Sequence, residues 1–457
     1  MNKITKIIKI RSIPFVLGLA AAGAAPGQTA APAPAAPPAI RLSLTDAVTQ
    51  ALSDATQEHL ATLSVSLAQT RADLALSALR PQASAELGVG SNMVNFKTFG
   101  FSAPGFPTVV GPFDVVDAHV TAAWDVINFA AKRRYEAARA GVRISEAERR
   151  RIENEVAAAV ASLYVSVERS RARIDEIRAN VELFDKLRQL AFDQQKAGVG
   201  TRIDTTRADV QLARQRQALL VAENQRDLAQ LALLRAVGGD LGTTDVVLTD
   251  DLTKPQNDRP TVQAALLSAR QLRPELHTLA AQMRAAELAE KAVRAEKLPH
   301  LTLNATGTES GNYVRDLYWT RSLSAVASVP IFTGKRLEQQ IVEAQIQREQ
   351  LTEQQRDLER QIEQEVRQAL LRYDNARSRV ELAEQNIKLA DDELETARDR
   401  FQNGVASSIE VDNAQTSVAE ARDSRVDALA DQAQARFDLA RATGEIRNLI
   451  PGQTGPL

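Results

Sequence analysis

The 457-residue sequence has no cysteine, three methionines, four histidines and only 4% aromatic residues. The lack of cysteine excludes a disulfide scaffold, thiolate catalysis, a cysteine-ligated metal and a lipidated N-terminal cysteine. The histidines are far apart, and no phosphate-binding loop, nucleophile elbow or zinc-protease motif occurs in the sequence. We therefore predict a protein that is not an enzyme, with no catalytic residue, no resident metal and no cofactor.

The charges nearly cancel, and long apolar runs are missing from most of the chain. There are 56 basic and 58 acidic residues, so no basic surface suggests a nucleic-acid partner. The apolar run near the N-terminus, 13–25, has 13 residues, whereas a membrane-spanning helix needs about 20. Because four basic residues precede this run, we predict a Sec-type signal peptide at 1–28, with a single-pass anchor as the alternative.

Two long stretches have the apolar spacing of helices that pack side by side. From Val366 to Phe401, apolar residues step alternately by three and four, with a large residue at one core position and alanine at the other. A looser version occurs in the first half of the chain. A strict seven-residue repeat predicts a left-handed supercoil of packed helices. We predict helices at 130–197 and 335–402, each about 100 Å long at a rise of 1.5 Å per residue.

Each long stretch ends in a glycine-containing segment, and the two segments resemble each other. AGVGTRIDTTRADVQ (197–211) and NGVASSIEVDNAQ (403–415) are related by a shift of 206 residues. Glycine ends a helix readily, and Thr201, Ser407 or Ser408 can cap the helix that follows. We therefore predict two long helical hairpins, each with a tip at a glycine turn.

The segments before the long helices alternate with a period of two, which predicts β-strands. The apolar residues of the clearest strand are Val116, Ala118, Val120, Ala122, Trp124 and Val126, and a second series begins with Leu301 and Leu303. One apolar and one polar face suit membrane-spanning strands, so we predict that the apolar residues face lipid. A soluble hairpin packed on helices is the alternative. Four strands do not close a barrel around polar side chains, so several chains would share one barrel.

Together these patterns predict a duplicated, mainly α fold with a small β part. The repeated unit is a helix, a β-hairpin, a long helix and a returning helix. The predicted boundaries are a signal peptide at 1–28, a Pro/Ala-rich linker at 29–40, a first repeat at 41–239 (hairpin 82–128, long helix 130–197, returning helix 201–237), an equatorial linker at 240–262, a second repeat at 263–444 (hairpin 299–330, long helix 335–402, returning helix 408–443) and a tail at 445–457.

Several short motifs in both halves resemble those of one family. In chain order they are LSLTDAVTQAL (42–52), LRPQASAEL (79–87), RPEL (273–276), KLPHLTL (297–303) and VPIFTGKR (329–336), together with the two glycine tips. Each motif alone is weakly specific, but their order on a duplicated plan is specific. Over essentially the whole mature chain, the sequence resembles the TolC family of bacterial outer-membrane efflux proteins.

The resemblance implies a homotrimer in which twelve strands form one outer-membrane β-barrel and twelve helices form a hollow periplasmic α-barrel. Outer-membrane lipid would surround the β-barrel, with Phe129 and Phe332 in its lower aromatic girdle. The protein would be the exit channel of a tripartite system, receiving substrates from a periplasmic adaptor protein and an inner-membrane pump. The competing prediction, an exported periplasmic coiled-coil scaffold protein, explains the heptads but not the strands.

The resemblance also implies where the site residues lie. In that family the tips close the periplasmic entrance and meet the adaptor, so the predicted docking tips are Gly198, Val199, Gly200, Thr201, Gly404, Val405, Ala406 and Ser407. The predicted periplasmic gate consists of Glu410, Asp412, Asn413, Asp204 and Arg202. TolC has two acidic residues three positions apart here, whereas this sequence has Glu410 and Asn413. The alternative for Glu410 is one more acidic residue on a solvated helix face.

Overall fold

A computed structural model describes residues 40–54, 56–100, 104–105, 107–239, 241, 246–250, 259–312, 316–403 and 405–447. The helices and strands of this part of the chain are β1 (Ile40–Leu42), α1 (Leu44–Asp54), α2 (Thr56–Ser77), β2 (Gln82–Asn95), β3 (Val109–Ile127), α3 (Phe129–Lys196), α4 (Arg202–Val237), β4 (Val246–Leu248), α5 (Val262–Leu272), α6 (Pro274–Ala295), β5 (His300–Gly311), β6 (Tyr318–Ser328), α7 (Arg336–Gln402) and α8 (Ser408–Thr443). The predicted signal peptide, most of both predicted linkers and residues 448–457 lie outside the described residues.

The order of elements repeats along the chain with two different shifts. α1, α2 and β2 begin 218 residues before α5, α6 and β5, as 262 − 44, 274 − 56 and 300 − 82 each give 218. α4 begins only 206 residues before α8, since 408 − 202 is 206. Most of this difference of 12 residues arises around the β-hairpins. The first hairpin spans 46 residues (82–127) and the second 29 (300–328), and the longer segment before α7 (329–335) offsets part of the difference.

The longest helices are α3, with 68 residues, and α7, with 67. At a rise of 1.5 Å per residue each is about 100 Å long. The heptad pattern predicted on α7 is confirmed by burial, since Val366, Tyr373, Val380 and Leu394 are all at most 7% exposed and the alanines between them are buried too. Alanine at alternate core positions lets α8 approach closely. No helix in the described ranges is long and apolar enough to cross a membrane.

A proline separates the two short helices of the second repeat. Pro274 occupies the first turn of α6, where its missing N–H is not needed. Next to it, the buried side chain of Arg273 pairs with Glu275 at 2.9 Å and with Glu365 of α7 at 2.8 Å. Its Nη1 also donates to the carbonyl of Ala442 at 3.3 Å. The RPEL motif therefore connects α6, α7 and the end of α8.

A small parallel sheet at the equator was not predicted from the sequence. β1 pairs with β4, so the predicted linker at 240–262 contains a strand and the first residue of α5. The buried hydroxyl of Tyr164 on α3 donates to the carbonyl of Leu42 and accepts from the backbone N–H of Asp250, both at 3.1 Å. Burial raises the pKa of Tyr164 to about 12. This tyrosine therefore fixes the C-terminal ends of both strands against the long helix.

The other sheet has the strand order β2-β3-β5-β6, and all its pairs are antiparallel. Its strands extend further than predicted. β3 begins at Val109, seven residues before the predicted series starts at Val116, and β5 continues to Gly311, well beyond Leu303. Backbone hydrogen bonds do not require alternating side chains, so polar and glycine-containing ends of strands were missed by the period-two pattern.

Candidate functional site

The register of the four-stranded sheet places the predicted lipid-facing residues on one face. Trp124 of β3 lies opposite Leu303 of β5, and Val120 lies opposite Gly307 of β5 and Ala85 of β2. The apolar residues of this face are Ala83, Ala85, Leu87, Val89, Val116, Ala118, Val120, Ala122, Trp124, Leu301, Leu303, Ala305, Trp319, Leu323, Ala325 and Ala327, and the registers place Gly307, Glu309 and Arg321 on the same face. All four strands therefore contribute apolar side chains to the same surface.

This apolar face is not covered by any other described part of the chain. Leu87 is 74% exposed, Val89 is 76% exposed and Leu323 is 83% exposed. Trp319 lies across Gly307, where a Cβ atom would come within 2.3 Å of the indole ring. An aromatic ring over a strand glycine fills the gap that the missing side chain leaves. The face is thus open, and it is apolar except for Glu309 and Arg321 in its half farther from the helices.

The opposite face of the same sheet is polar and internally hydrogen-bonded. The hydroxyls of Ser84 and Thr121 are 2.8 Å apart across β2 and β3. His119 lies between two carboxylates, with Nε2 3.2 Å from Glu86 and Nδ1 2.9 Å from Asp117. An apolar face and a polar, charged face on one sheet are the arrangement of a barrel wall between lipid and water.

The two helical hairpins end in tips with the same backbone hydrogen bonds. At the first tip, the N–H groups of Val199 and Gly200 both donate to the carbonyl of Gln194, at 3.1 and 3.0 Å. At the second tip, those of Val405 and Ala406 both donate to the carbonyl of Arg400, at 2.9 and 3.2 Å. These bonds end each long helix by using its last free carbonyl groups.

Glycine has a definite role at the first tip. Gly198 has φ = 75°, a left-handed conformation that side chains rarely adopt. A Cβ on Gly200 would come within 3.0 Å of the backbone nitrogen of Gln195. At the second tip, Gly404 lies outside the described residues.

The caps of the two returning helices differ. Thr201 and Asp204 form a capping box, in which each side chain accepts from the other residue's backbone N–H. Ser407 holds the N-cap position of α8, but its side chain makes no capping hydrogen bond. The prediction of a side-chain cap is confirmed for Thr201 and is wrong for Ser407. The start of α8 therefore lacks a stabilising contact that the start of α4 has.

Large apolar side chains stand exposed at both tips. Val199 is 81% and Val405 is 70% exposed, and Ile203 and Ile409 on the next turn are 68% and 49% exposed. Val199 and Val405 were among the predicted docking-tip residues, whereas the isoleucines were not predicted. The signal was present, since Ile203 and Ile409 are separated by the same 206 residues as the tips. Each tip therefore presents a compact apolar surface.

The predicted gate residues do not all lie together. Asp412 is partly buried, and its pKa is raised above 3.8 by this burial and by repulsion from Asp204, while Arg207 opposes the shift. Asp204 lies 3.7 Å from Arg207 on the same helix. Asp412 on α8 thus lies near enough to Asp204 and Arg207 on α4 for their charges to affect it. These three charged residues lie just above the tips, and Arg207 was not predicted from the sequence.

The remaining gate residues lie elsewhere around the tips. Glu410 pairs with Arg400 of its own hairpin, with Nε and Oε1 3.1 Å apart. Asn413 and Arg202 are exposed, and Arg202 has no ion-pair partner within the described ranges. Asp204 therefore contacts Arg207 rather than Arg202 in this single chain. The structure brings together Asp204 and Asp412, and it places Glu410 on a different contact.

The described residues contain no group of three His, Asp or Glu side chains that could hold a metal ion. Two cavities of about 620 Å³ each are open grooves lined mainly by charged, glutamine and alanine side chains. Their polar side chains do not converge on one point. The features that stand out are therefore surfaces, namely the open sheet face and the two tips.

The sequence profile described as outer membrane efflux protein matches residues 47–239 and 265–445, which is most of the chain. The chain belongs to this outer membrane efflux family. The two matched segments contain the two repeats of helix, strand and helical hairpin described above.

Relatives of this outer membrane efflux protein have known names and structures. The pyoverdine export outer membrane protein OpmQ of Pseudomonas aeruginosa is 24% identical over 382 residues, which cover 82% of this chain and 80% of OpmQ. The outer membrane protein VceC of Vibrio cholerae superimposes with a TM-score of 0.73 at 19% identity, covering 88% of this chain and 96% of VceC. The CmeC outer membrane channel of Campylobacter jejuni gives 0.75 at 15% identity, covering 88% of this chain and 85% of CmeC. The fold is therefore that of outer membrane channels.

Proposed function

We propose that this protein is the outer-membrane exit channel of a tripartite export system and acts as a homotrimer. The observation that carries the proposal is a four-stranded sheet with one exposed and mainly apolar face, joined to helical hairpins about 100 Å long. In lipid, a sheet with unpaired edges is unstable because its backbone groups have no water to bind. Three copies would contribute twelve strands, and pairing between copies would leave no edge.

The strand directions support closure between copies. β2 and β6 are the two edge strands of the sheet, with 14 and 11 residues. β2 runs away from the helices and β6 runs back toward them, so β6 of one copy would pair with β2 of the next in the antiparallel sense. The closed barrel would then be antiparallel throughout, with an even number of strands.

The helical part also has faces that a second copy would cover. On α2, the exposed leucines Leu60, Leu63, Leu67 and Leu74 are spaced by three, four and seven residues. On α7, Leu382 and Leu389 are 63% and 68% exposed and stand seven residues apart. A seven-residue spacing of exposed leucines is the seam by which helices of a supercoil pack together. Twelve long helices from three copies would close a hollow cylinder along these seams.

The tips are the proposed adaptor-docking surface, and the chain would receive its cargo there from an adaptor and an inner-membrane pump. Their exposed valines and isoleucines fit another helical hairpin, because compact apolar side chains allow close approach. Because its relative OpmQ is a pyoverdine export outer membrane protein, pyoverdine is the first cargo to test. A periplasmic scaffold protein is disfavoured because it would expose the apolar sheet face to water.

The first prediction concerns extraction and assembly. We expect the protein to fractionate with the outer membrane, to require detergent for extraction, and to have three times the 49.8 kDa mass of the chain, less any cleaved segment. Multi-angle light scattering with correction for bound detergent measures this mass. A monodisperse monomer in detergent-free buffer would contradict the channel proposal.

The second prediction concerns the gate, which we propose to be the contact of Asp412 with Asp204 and Arg207. Burial between the helices raises the pKa of Asp412, so its protonated form fits the closed arrangement better than its charged form. The closed state is therefore favoured at low pH, and this advantage is lost as pH rises through the raised pKa. We expect single-channel conductance in planar bilayers to fall on acidification.

Two variants distinguish the effect of Asp412 on conductance from that of the nearby Glu410. Asp412→Asn resembles the protonated form, so we expect a conductance that is severalfold lower at neutral pH and no longer changes on acidification. Glu410→Gln breaks only the exposed pair with Arg400, worth about 0–1 kcal/mol. It would reduce cation preference by removing one charge per copy and would keep the pH response. An unchanged pH response in Asp412→Asn would exclude Asp412 as the titrating group.

A further inference from the structure

An exposed apolar region lies at the end of the four-stranded sheet that adjoins the helices. Ile331 is 97% exposed and Phe332 is 89% exposed, and Leu298, Val329 and Phe129 are 47%, 51% and 49% exposed. We call these five residues the apolar collar. They continue the apolar sheet face to the point where the helices begin. Such side chains, with aromatic rings among them, belong at the edge of a hydrocarbon layer.

Positive charge is concentrated directly beyond this collar. β2, β3, β5 and β6 each have one end next to the helices. The eight residues outside each of these four ends include one acidic side chain, Glu296, and eight basic side chains: Arg80, Lys132, Arg133, Arg134, Arg294, Lys297, Lys335 and Arg336. The whole chain, by contrast, has a net charge of −2. The loops at the other end of the sheet, 96–108 and 312–317, have two basic residues and one acidic residue. The sheet is therefore strongly positive at its helix end only.

Some of these basic side chains form ion pairs that connect the segments next to the sheet, and others form no ion pair. Arg134 pairs with Glu296, Arg336 lies 3.6 Å from the same carboxylate, and Lys297 lies 3.4 Å from Glu338. These pairs join α3, α6 and α7.

Three other cations of this group, Arg80, Lys132 and Lys335, are exposed and form no ion pair within the described ranges, although Lys335 also interacts electrostatically with Glu338. Their charges are available to an external anion.

The backbone conformation of Lys335 is an independent indication that its side chain binds an external anion. This residue has φ = 66° and is the one non-glycine residue with positive φ in the described part of the chain. It follows Gly334, which has φ = 58°. Glycine would adopt this conformation without strain, whereas lysine does not. Strained residues persist where their side chain has a use, and an ammonium group next to the apolar collar has a use if it binds an anion.

We propose that these cations bind the phosphate headgroups of anionic phospholipids in the membrane leaflet that faces the helices. The inference rests on the proposed membrane-spanning sheet. Each headgroup layer of a bilayer is about 5–8 Å thick. Lys132 lies three residues beyond Phe129 on α3, about 5 Å along the helix axis. With the apolar collar at the edge of the hydrocarbon, the ammonium group lies at the level of the phosphates.

The test uses the trimer purified in detergent and mixed with equal amounts of phosphatidylglycerol and phosphatidylethanolamine. Native mass spectrometry counts the lipids that stay bound. We expect wild type to retain phosphatidylglycerol preferentially. Lys132→Gln/Lys335→Gln should bind it about fivefold more weakly for each cation removed. The matched control is Lys97→Gln/Lys388→Gln, which removes two exposed lysines away from the collar and should behave as wild type.

Lys335→Gly separates the charge from the backbone. It removes the ammonium group and relieves the positive φ, so we expect weaker phosphatidylglycerol binding with an unchanged or higher melting temperature in lipid-free detergent. Wild-type lipid affinity in this variant would overturn the inference. So would equal retention of both lipids, or retention of lipopolysaccharide instead. A trimer without lipid preference contradicts only this inference, whereas a detergent-independent monomer contradicts the proposed function itself.

Discussion

Val120→Arg is expected to prevent most chains from assembling into a membrane-inserted trimer. Val120 lies near the centre of the apolar sheet face, between Ala85 and Gly307 on the neighbouring strands. A charged side chain facing lipid near the bilayer midplane costs about 2–4 kcal/mol. The cost recurs in each of three copies, and one barrel has to accommodate all of them. Leu303→Arg, closer to the helix end of the sheet, should have the same effect at lower magnitude.

The adjacent residue provides the control for this prediction. Thr121 has the same depth in the sheet but lies on the polar face, where its hydroxyl is 2.8 Å from that of Ser84. Thr121→Arg loses one neutral hydrogen bond, worth about 1 kcal/mol, and places its charge toward water. We expect this variant to assemble. The measurement is the fraction of detergent-extracted protein that elutes as a trimer. Equal trimer yields for Val120→Arg and Thr121→Arg would mean that the assignment of the two faces is wrong.

The long helices and the faces of the strands were predictable because their periods repeat many times. On α7 the heptad alternates a large residue with alanine for five turns of the pattern, and burial follows it from Val366 to Leu394. On β3 the alternation from Val116 to Trp124 fixed one face, and the register of all four strands agrees with it. Long periodic signals average out local exceptions.

The short elements were not predictable in the same way. β1 and β4 have three residues each, too few for a period, and they are strands because they pair with each other across the equator. Tyr164 stabilises them, since its buried hydroxyl bonds to the backbone at the C-terminal ends of both strands. Tertiary contacts of this kind leave no local signature in the sequence.

The contacts of the proposed gate residues were only partly predictable, because they too depend on tertiary packing. A spacing along one helix shows which residues share that helix, but it does not show what the other hairpin brings near. Glu410 was the natural choice by position, yet Arg400 lies within its reach on the same hairpin. The pKa of Asp412 is raised mainly by burial and also by repulsion from Asp204, and both depend on how the chain packs around α8. Such cross-hairpin contacts follow from the fold and not from one segment.

The tips provide the other prediction with a large expected effect. Val199→Asp/Val405→Asp should abolish adaptor binding and export while leaving the trimer intact. The two valines are 81% and 70% exposed, so their replacement removes few contacts within this chain. Burying a valine at an interface contributes about 1.5–3 kcal/mol, and burying an unpaired carboxylate there costs more. We therefore expect the Kd for the periplasmic adaptor to rise by at least about a hundredfold.

The control keeps the chemical change and moves it away from the tips. Val247 is an exposed valine on the equatorial strand β4, and Val247→Asp should bind the adaptor as wild type does. Ala406→Trp tests the same surface by size, because a bulky side chain keeps an incoming helix away from the backbone of the tip. Binding by interferometry and export in a strain without its own channel should fall together in both tip variants. Normal Kd and normal export in the double valine variant, with its trimer intact, would place adaptor docking elsewhere on the helical cylinder.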